Sequence, residues 1–136
     1  MDVTPIIDPL NDAQRQAVTA PDQPMLVVAG AGSGKTRVLV HRIAWLIQVE
    51  NVSPLGILAV TFTNKAAGEM KERVEKLLGP AMADISIGTV HSIGVRILRR
   101  DIGHLARSRG VVIYDDADTL GVIKEGLKAD GLDPKV

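Results

Sequence analysis

The stretch "MLVVAGAGSGKTRVL" (25–39) constrains the fold of this chain more than any other. A run of Met, Leu and Val leads to Ala29; after four intervening residues Gly34-Lys35-Thr36 opens a segment with helical periodicity. This is the Walker A phosphate loop, with alanine at its first position instead of the strict glycine. The order strand, glycine-rich turn, helix lets backbone N–H groups turn inward around phosphate oxygens, where side chains would clash. The positive end of the following helix adds to the attraction. Ala29, Gly30, Ala31, Gly32, Ser33 and Gly34 are therefore expected to wrap the phosphates of a nucleotide. Lys35 is expected to reach the β- and γ-phosphates, and the Thr36 hydroxyl to take a place on Mg²⁺. These two form the expected catalytic pair. The loop alone does not say which nucleotide hydrolase this is.

Around the loop two periodicities alternate. "MLVVA" (25–29), "GILAVTF" (56–62), "ISIGTV" (85–90) and "VVIY" (111–114) are short apolar runs rich in Val and Ile, and each reads as a buried strand. Longer helical segments lie between them. "NDAQRQAVTA" offers Asn11 as N-cap, with Gln14 at capping-box spacing. "KTRVLVHRIAWLIQV" is apolar on most faces, which predicts a largely buried helix with Trp45 in the core. "NKAAGEMKERVEKLLG" has Asn64 as a cap candidate and stops at Gly79-Pro80. "HSIGVRILRRDIGHLA" and "DADTLGVIKEGLKADG" supply two further helices. Strands alternating with helices of this length imply an α/β fold of the P-loop NTPase class, a parallel sheet flanked by helices.

Composition excludes several function classes. Sixteen basic and sixteen acidic residues cancel, so any nucleic-acid site must be a local patch. Cysteine is absent, which rules out disulfide scaffolds and thiolate chemistry. The opening "MDVTPIIDPLND" is acidic and broken by prolines, unlike a signal peptide, and the longest apolar stretch is interrupted by His41 and Arg42. A soluble, cytoplasmic protein with no membrane partner is expected. "VVIYDD" (111–116) could be a Walker B strand, with Asp115 holding the Mg²⁺ water shell and Asp116 orienting water. Equally, Asp115 or Asp116 could cap the helix that begins near Ala117; spacing does not decide.

Four segments in order resemble the superfamily 1 DNA helicases of the UvrD/Rep/PcrA type. "LNDAQRQAV" (10–18) resembles the Q motif and "AGAGSGKTRVLVHRIAWL" (29–46) motif I. "ILAVTFTNKAAGEMKERV" (57–74) is similar to motif Ia, and "IGTVHSIGVRILRRD" (87–101) to the TFHS-type motif, with Val90 where the family usually has Phe. The resemblance implies a RecA-like motor domain using ATP and Mg²⁺. It implies that Gln14 reads the adenine edge, to which a carboxamide offers a donor and an acceptor. Arg37 would pack its guanidinium plane on the base. Phe62, Thr63 and Asn64, and then Thr89, His91 and Ser92, would touch single-stranded DNA, with Phe62 stacking on a base. Arg96, Arg99 and Arg100 fit either a DNA-facing or a solvated helix face.

The resemblance further implies that residues 1–110 are the N-terminal part of the first motor domain (1A) and 111–136 the start of an inserted helical subdomain (1B). In the family the true Walker B motif, the arginine fingers and the second RecA-like domain follow later, and the segment matching "VVIYDDADTL" is not the metal site. The activity implied is 3′-to-5′ translocation on single-stranded DNA and unwinding at duplex/single-strand junctions in repair or replication, with repair proteins as possible partners. An N-terminal fragment would lack the groups for hydrolysis, and would expose an apolar sheet edge open to self-association. Two other readings remain: a self-contained small P-loop NTPase using Asp115 and Asp116, and a non-catalytic nucleotide-binding module.

Overall fold

A computed structural model describes residues 2–80, 84–105 and 110–132. The chain divides into two compact units, residues 1–90 and 91–136. The first unit opens with a short helix, α1 (Thr4–Ile7), with Pro5 in its first turn where a missing N–H costs nothing. Helix α2 (Asp12–Thr19) follows, and then the glycine-rich loop runs into α3 (Lys35–Gln48). A 3₁₀ turn at Pro54–Gly56 delivers the chain to β1 (Leu58–Thr61), α4 (Asn64–Leu78) and β2 (Ser86–Thr89).

The strands β1 and β2 pair in parallel with Thr61 beside Thr89, so β1–α4–β2 is a βαβ unit. Their inward residues Ala59 and Ile87 pack with Val40 and Ile43 of α3, Met70 and Val74 of α4, and Ile57 and Ile85. Met70 and Val74 are one turn apart, which puts both on the face of α4 that meets the sheet. A second cluster gathers Ile6, Leu10, Val18 and Ala44 and fixes α1 and α2 against α3. Two polar ties reinforce it. His41 Nδ1 bonds the Ile6 carbonyl at 2.6 Å, and Arg42 donates to the carbonyls of Val18, Ala20 and Pro21 where α2 ends.

In the second unit, α5 (Val90–Asp101) leads from residue 91 onward into a 3₁₀ turn at Ile102–Leu105, and α6 (Asp116–Ala129) comes later. Among the described residues, no helix is long and apolar enough to cross a membrane.

The fold is α/β as expected, but two of the four anticipated strands do not form. Residues 25–29 have no ladder partner among the described residues; their exposure alternates from Met25 (46%) to Leu26 (87%), Val27 (44%) and Val28 (89%). That alternation is what an apolar strand shows when no neighbour covers it. Val112, Ile113 and Tyr114 are likewise exposed and unpaired in any sheet. Helix α3 buries less than its composition suggests. Val40, His41, Ile43 and Ala44 are inside, Trp45 is half-buried at the edge of the second cluster, and Leu39 is open.

Candidate functional site: a phosphate loop and an exposed ring

The glycine-rich loop before α3 is shaped by its own residues. Ser33 Oγ donates to the Gly30 carbonyl at 2.6 Å, and the Ser33 N–H donates to the same oxygen at 3.3 Å, closing a turn. Gly32 and Gly34 sit in the left-handed region at φ +73° and +80°, a backbone that side chains rarely adopt. Helix α3 then begins at Lys35 without a side-chain cap. Its first N–H groups are therefore available to an anion.

The loop faces a cleft of about 720 Å³, within the usual size of a small-molecule site. Gly32, Ser33, Gly34, Lys35, Thr36 and Arg37 form one wall; Pro9, Asn11 and Gln14 come from the α1–α2 connection, and Arg73 from α4. The lining holds three cations and no carboxylate, so the donor set fits a polyanion. It fits Mg²⁺ only in company with phosphate. The Thr36 hydroxyl is a single hard ligand, and no cluster of three His, Asp or Glu residues occurs among the described residues. Ala29, Gly30 and Ala31 lead into this wall, Ala29 half-buried and the other two exposed.

Gln14 is placed by the capping box expected from its spacing. Asn11 Oδ1 accepts the Gln14 N–H at 2.9 Å, and Gln14 Oε1 accepts the Asn11 N–H at 3.1 Å. The same carboxamide reaches the loop, where Nε2 donates to the Ser33 carbonyl at 3.1 Å. Arg37 extends from α3 to the Pro9 carbonyl, 3.4 Å away, at the rim of the cleft. Arg73 was not anticipated. In the sequence it is one charge among several in "MKERVEKLL", and only the packing of α4 on α3 shows that it faces the loop.

A second feature lies at the C-terminal end of β1. Phe62 is 98% exposed, so the chain's lone phenylalanine contributes nothing to the core. Thr63, not Asn64, caps α4: its hydroxyl accepts the Ala66 N–H at 3.1 Å, while Asn64 is the first helical residue. The cap position needs an extended backbone, and Thr63 has it at φ −121°, ψ 149°. Thr61 Oγ1 donates to the Thr63 carbonyl at 3.1 Å and tightens the turn that carries the ring. Phe62, Thr63 and Asn64 thus stand together on the surface. Thr89 is buried at the matching end of β2, and Val90 is exposed.

His91 and Ser92 occupy the first turn of α5, in the second unit, and both are exposed. Arg100 is forked onto Asp101 at 2.9–3.1 Å. Hydrogen bonding to Arg100 holds the Asp101 carboxyl below its usual range, and the same bond raises the guanidinium. Asp115 is the N-cap of α6: it accepts the Asp118 N–H at 2.8 Å in a reciprocal capping box. Asp116 is the first residue of that helix, and the "VVIY" before it is not a strand, so the capping role is the one the structure displays.

Comparison with known proteins bears on the family of the chain. The model of the UvrD/REP helicase N-terminal domain matches residues 10–135. The ATP-dependent DNA helicase PcrA of Bacillus subtilis is 58% identical over 130 residues, 96% of this chain and 18% of that protein. DNA helicase II of Escherichia coli K12 is 51% identical over 135 residues, 99% of this chain and 19% of that protein. PcrA of Staphylococcus aureus Mu50 is 50% identical over 130 residues, 96% of this chain and 18% of that protein. The chain therefore spans less than a fifth of the length of these relatives. Matched by that family model over residues 10–135 and half or more identical to these relatives across nearly all its length, the chain belongs to the UvrD/REP helicase N-terminal domain family.

Proposed function

We propose that this chain is the N-terminal part of the first motor domain of an ATP-dependent DNA helicase that moves 3′-to-5′ along single-stranded DNA. In this reading Ala29 to Arg37 and Gln14 hold Mg²⁺-ATP, with Lys35 on the β- and γ-phosphates and Thr36 on the metal. Gln14 and Arg37 address the adenine. Phe62, Thr63 and Asn64, with Thr89, His91 and Ser92, contact the DNA strand. Residues 1–110 belong to the motor domain and 111–136 open an inserted helical subdomain. The work is unwinding at duplex/single-strand junctions in repair or replication, in the cytoplasm on the nucleoid.

The observation that carries the DNA half of this reading is Phe62. A ring 98% exposed beside a capped helix start is costly to leave in water and well placed for a base. In this reading the group that orients the attacking water, and the arginines that complete the site, come from elsewhere in the protein, and a cleft lined by Lys35, Arg37 and Arg73 without a carboxylate is in keeping with it. Among the described residues the edge of β1 away from β2 has no strand partner, and Leu58 and Val60 leave one face beside it exposed, which gives the chain by itself a route to self-association.

The deciding experiment measures, in the intact helicase and its Lys35→Ala variant, ATP turnover with and without single-stranded DNA, and DNA affinity separately. Turnover stimulated by DNA, lost in Lys35→Ala while DNA affinity persists, is the expected result. Turnover indifferent to DNA, or its survival in Lys35→Ala, refutes the reading.

A further inference from the structure

We infer that Gln14 is a positioning residue for the phosphate loop, acting on the loop backbone whether or not a base is present. This deepens the nucleotide reading above and rests on it. Reading adenine requires only that a carboxamide face the base. Here the carboxamide is already in use on both sides: Oε1 accepts the Asn11 N–H and Nε2 donates to the Ser33 carbonyl, each at 3.1 Å.

The orientation of the amide is set by the capping box. Asn11 presents a donor, so the oxygen of Gln14 must face it and the nitrogen must face the loop. The box itself is on a firm base, since Ala17 and Val18 bury the other end of α2. Gln14 therefore brings a fixed N–H donor to a loop that, among the described residues, otherwise closes on itself through Ser33 to Gly30.

What the donor does follows from peptide geometry. The Ser33 carbonyl and the Gly34 N–H belong to one planar trans peptide and point in opposite directions. Pinning the carbonyl to Gln14 turns the Gly34 N–H away from Gln14, and we assign that direction to the bound phosphate. The packing agrees: a Cβ built on Gly34 would lie 2.7 Å from Gln14 Nε2. Gly34 is thus required twice, for its positive φ and for the approach of this amide. One unoccupied N–H and one lone pair remain on the carboxamide, enough to meet an adenine as well.

The test uses Gln14→Met, which keeps length and neutrality and removes both polar atoms, with circular dichroism to establish that the fold persists. Affinities are measured by calorimetry for ATP and for inorganic tripolyphosphate, which has no base. Loss of one neutral hydrogen bond predicts about two- to tenfold weaker binding of tripolyphosphate, and at least as large a loss for ATP. Tripolyphosphate affinity at the wild-type value, with ATP alone weakened, overturns the inference and leaves Gln14 as a base reader. If the wild type binds neither probe, the nucleotide reading fails instead. The tether is still judged in that case by the Gly34 amide resonance in the ligand-free protein. It shifts in Gln14→Met if the tether exists, and an unmoved resonance overturns it.

Discussion

Replacing Phe62 with alanine separates a ring held for a ligand from a ring held for the fold, because the two roles predict opposite patterns. At 98% exposure the ring has almost nothing to lose from the folded state. The local structure also survives its removal. Thr61 Oγ1 still reaches the Thr63 carbonyl, and Thr63 still caps α4, since neither bond involves the ring. Unfolding free energy should therefore change by less than about 0.5 kcal/mol, the usual range for a surface site.

Binding is another matter. A phenylalanine can bury roughly 150–250 Å², and a base laid on one face covers about 80–100 Å² of it. At about 25 cal/mol per Å² this is worth about 2 kcal/mol, inside the range of about 1–3 kcal/mol found for base–aromatic stacking. Fluorescence anisotropy with a labelled single-stranded oligonucleotide should then show about thirtyfold weaker binding in Phe62→Ala. ATP affinity by calorimetry should match the wild type. Thr63→Ala is the contrast, because it removes a cap and should cost about 1 kcal/mol of stability. Unchanged DNA affinity in Phe62→Ala refutes the stacking argument. A fall in melting temperature that parallels the loss of DNA and ATP binding shows instead that the ring serves the fold.

Asp115→Ala should destabilise α6 by about 1 kcal/mol through loss of its cap and leave ATP turnover untouched; turnover lost together with Mg²⁺ dependence would make Asp115 a metal-site residue after all. The chain of residues 1–136 should form dimers or larger species at high concentration through the bare edge of β1. Light scattering checks this, and a clean monomer throughout the concentration range defeats it.

Which features could be read from the sequence follows from how local their causes are. The capping box of Asn11 and Gln14 closes across three residues, and the stop at Gly79-Pro80 needs only the chain's own dihedral preferences. Both are where spacing puts them. The cap of α4 was displaced by one residue for an equally local reason. Thr63 and Asn64 are both good cap residues, and the extended backbone at the end of β1 continues through Thr63, so the first eligible side chain takes the role. Strands are different, because a strand exists only in the ladder it shares. "GILAVTF" and "ISIGTV" find each other through α4 and pair, whereas "MLVVA" and "VVIY" have the same composition and find no partner among the described residues. The site divides along the same line. The loop residues 29–36 announce themselves because the Walker A pattern sets glycines and a lysine in fixed sequence order. Arg73 reaches the same cleft only because Met70 and Val74 bury one face of α4 against α3 and the sheet, which brings it to the lining beside Arg37, thirty-six positions earlier in the chain. No periodicity within α4 distinguishes Arg73 from Lys71 or Lys76. The tie from Gln14 to Ser33 spans nineteen residues and is of this second kind: its donor was legible, and its acceptor was not.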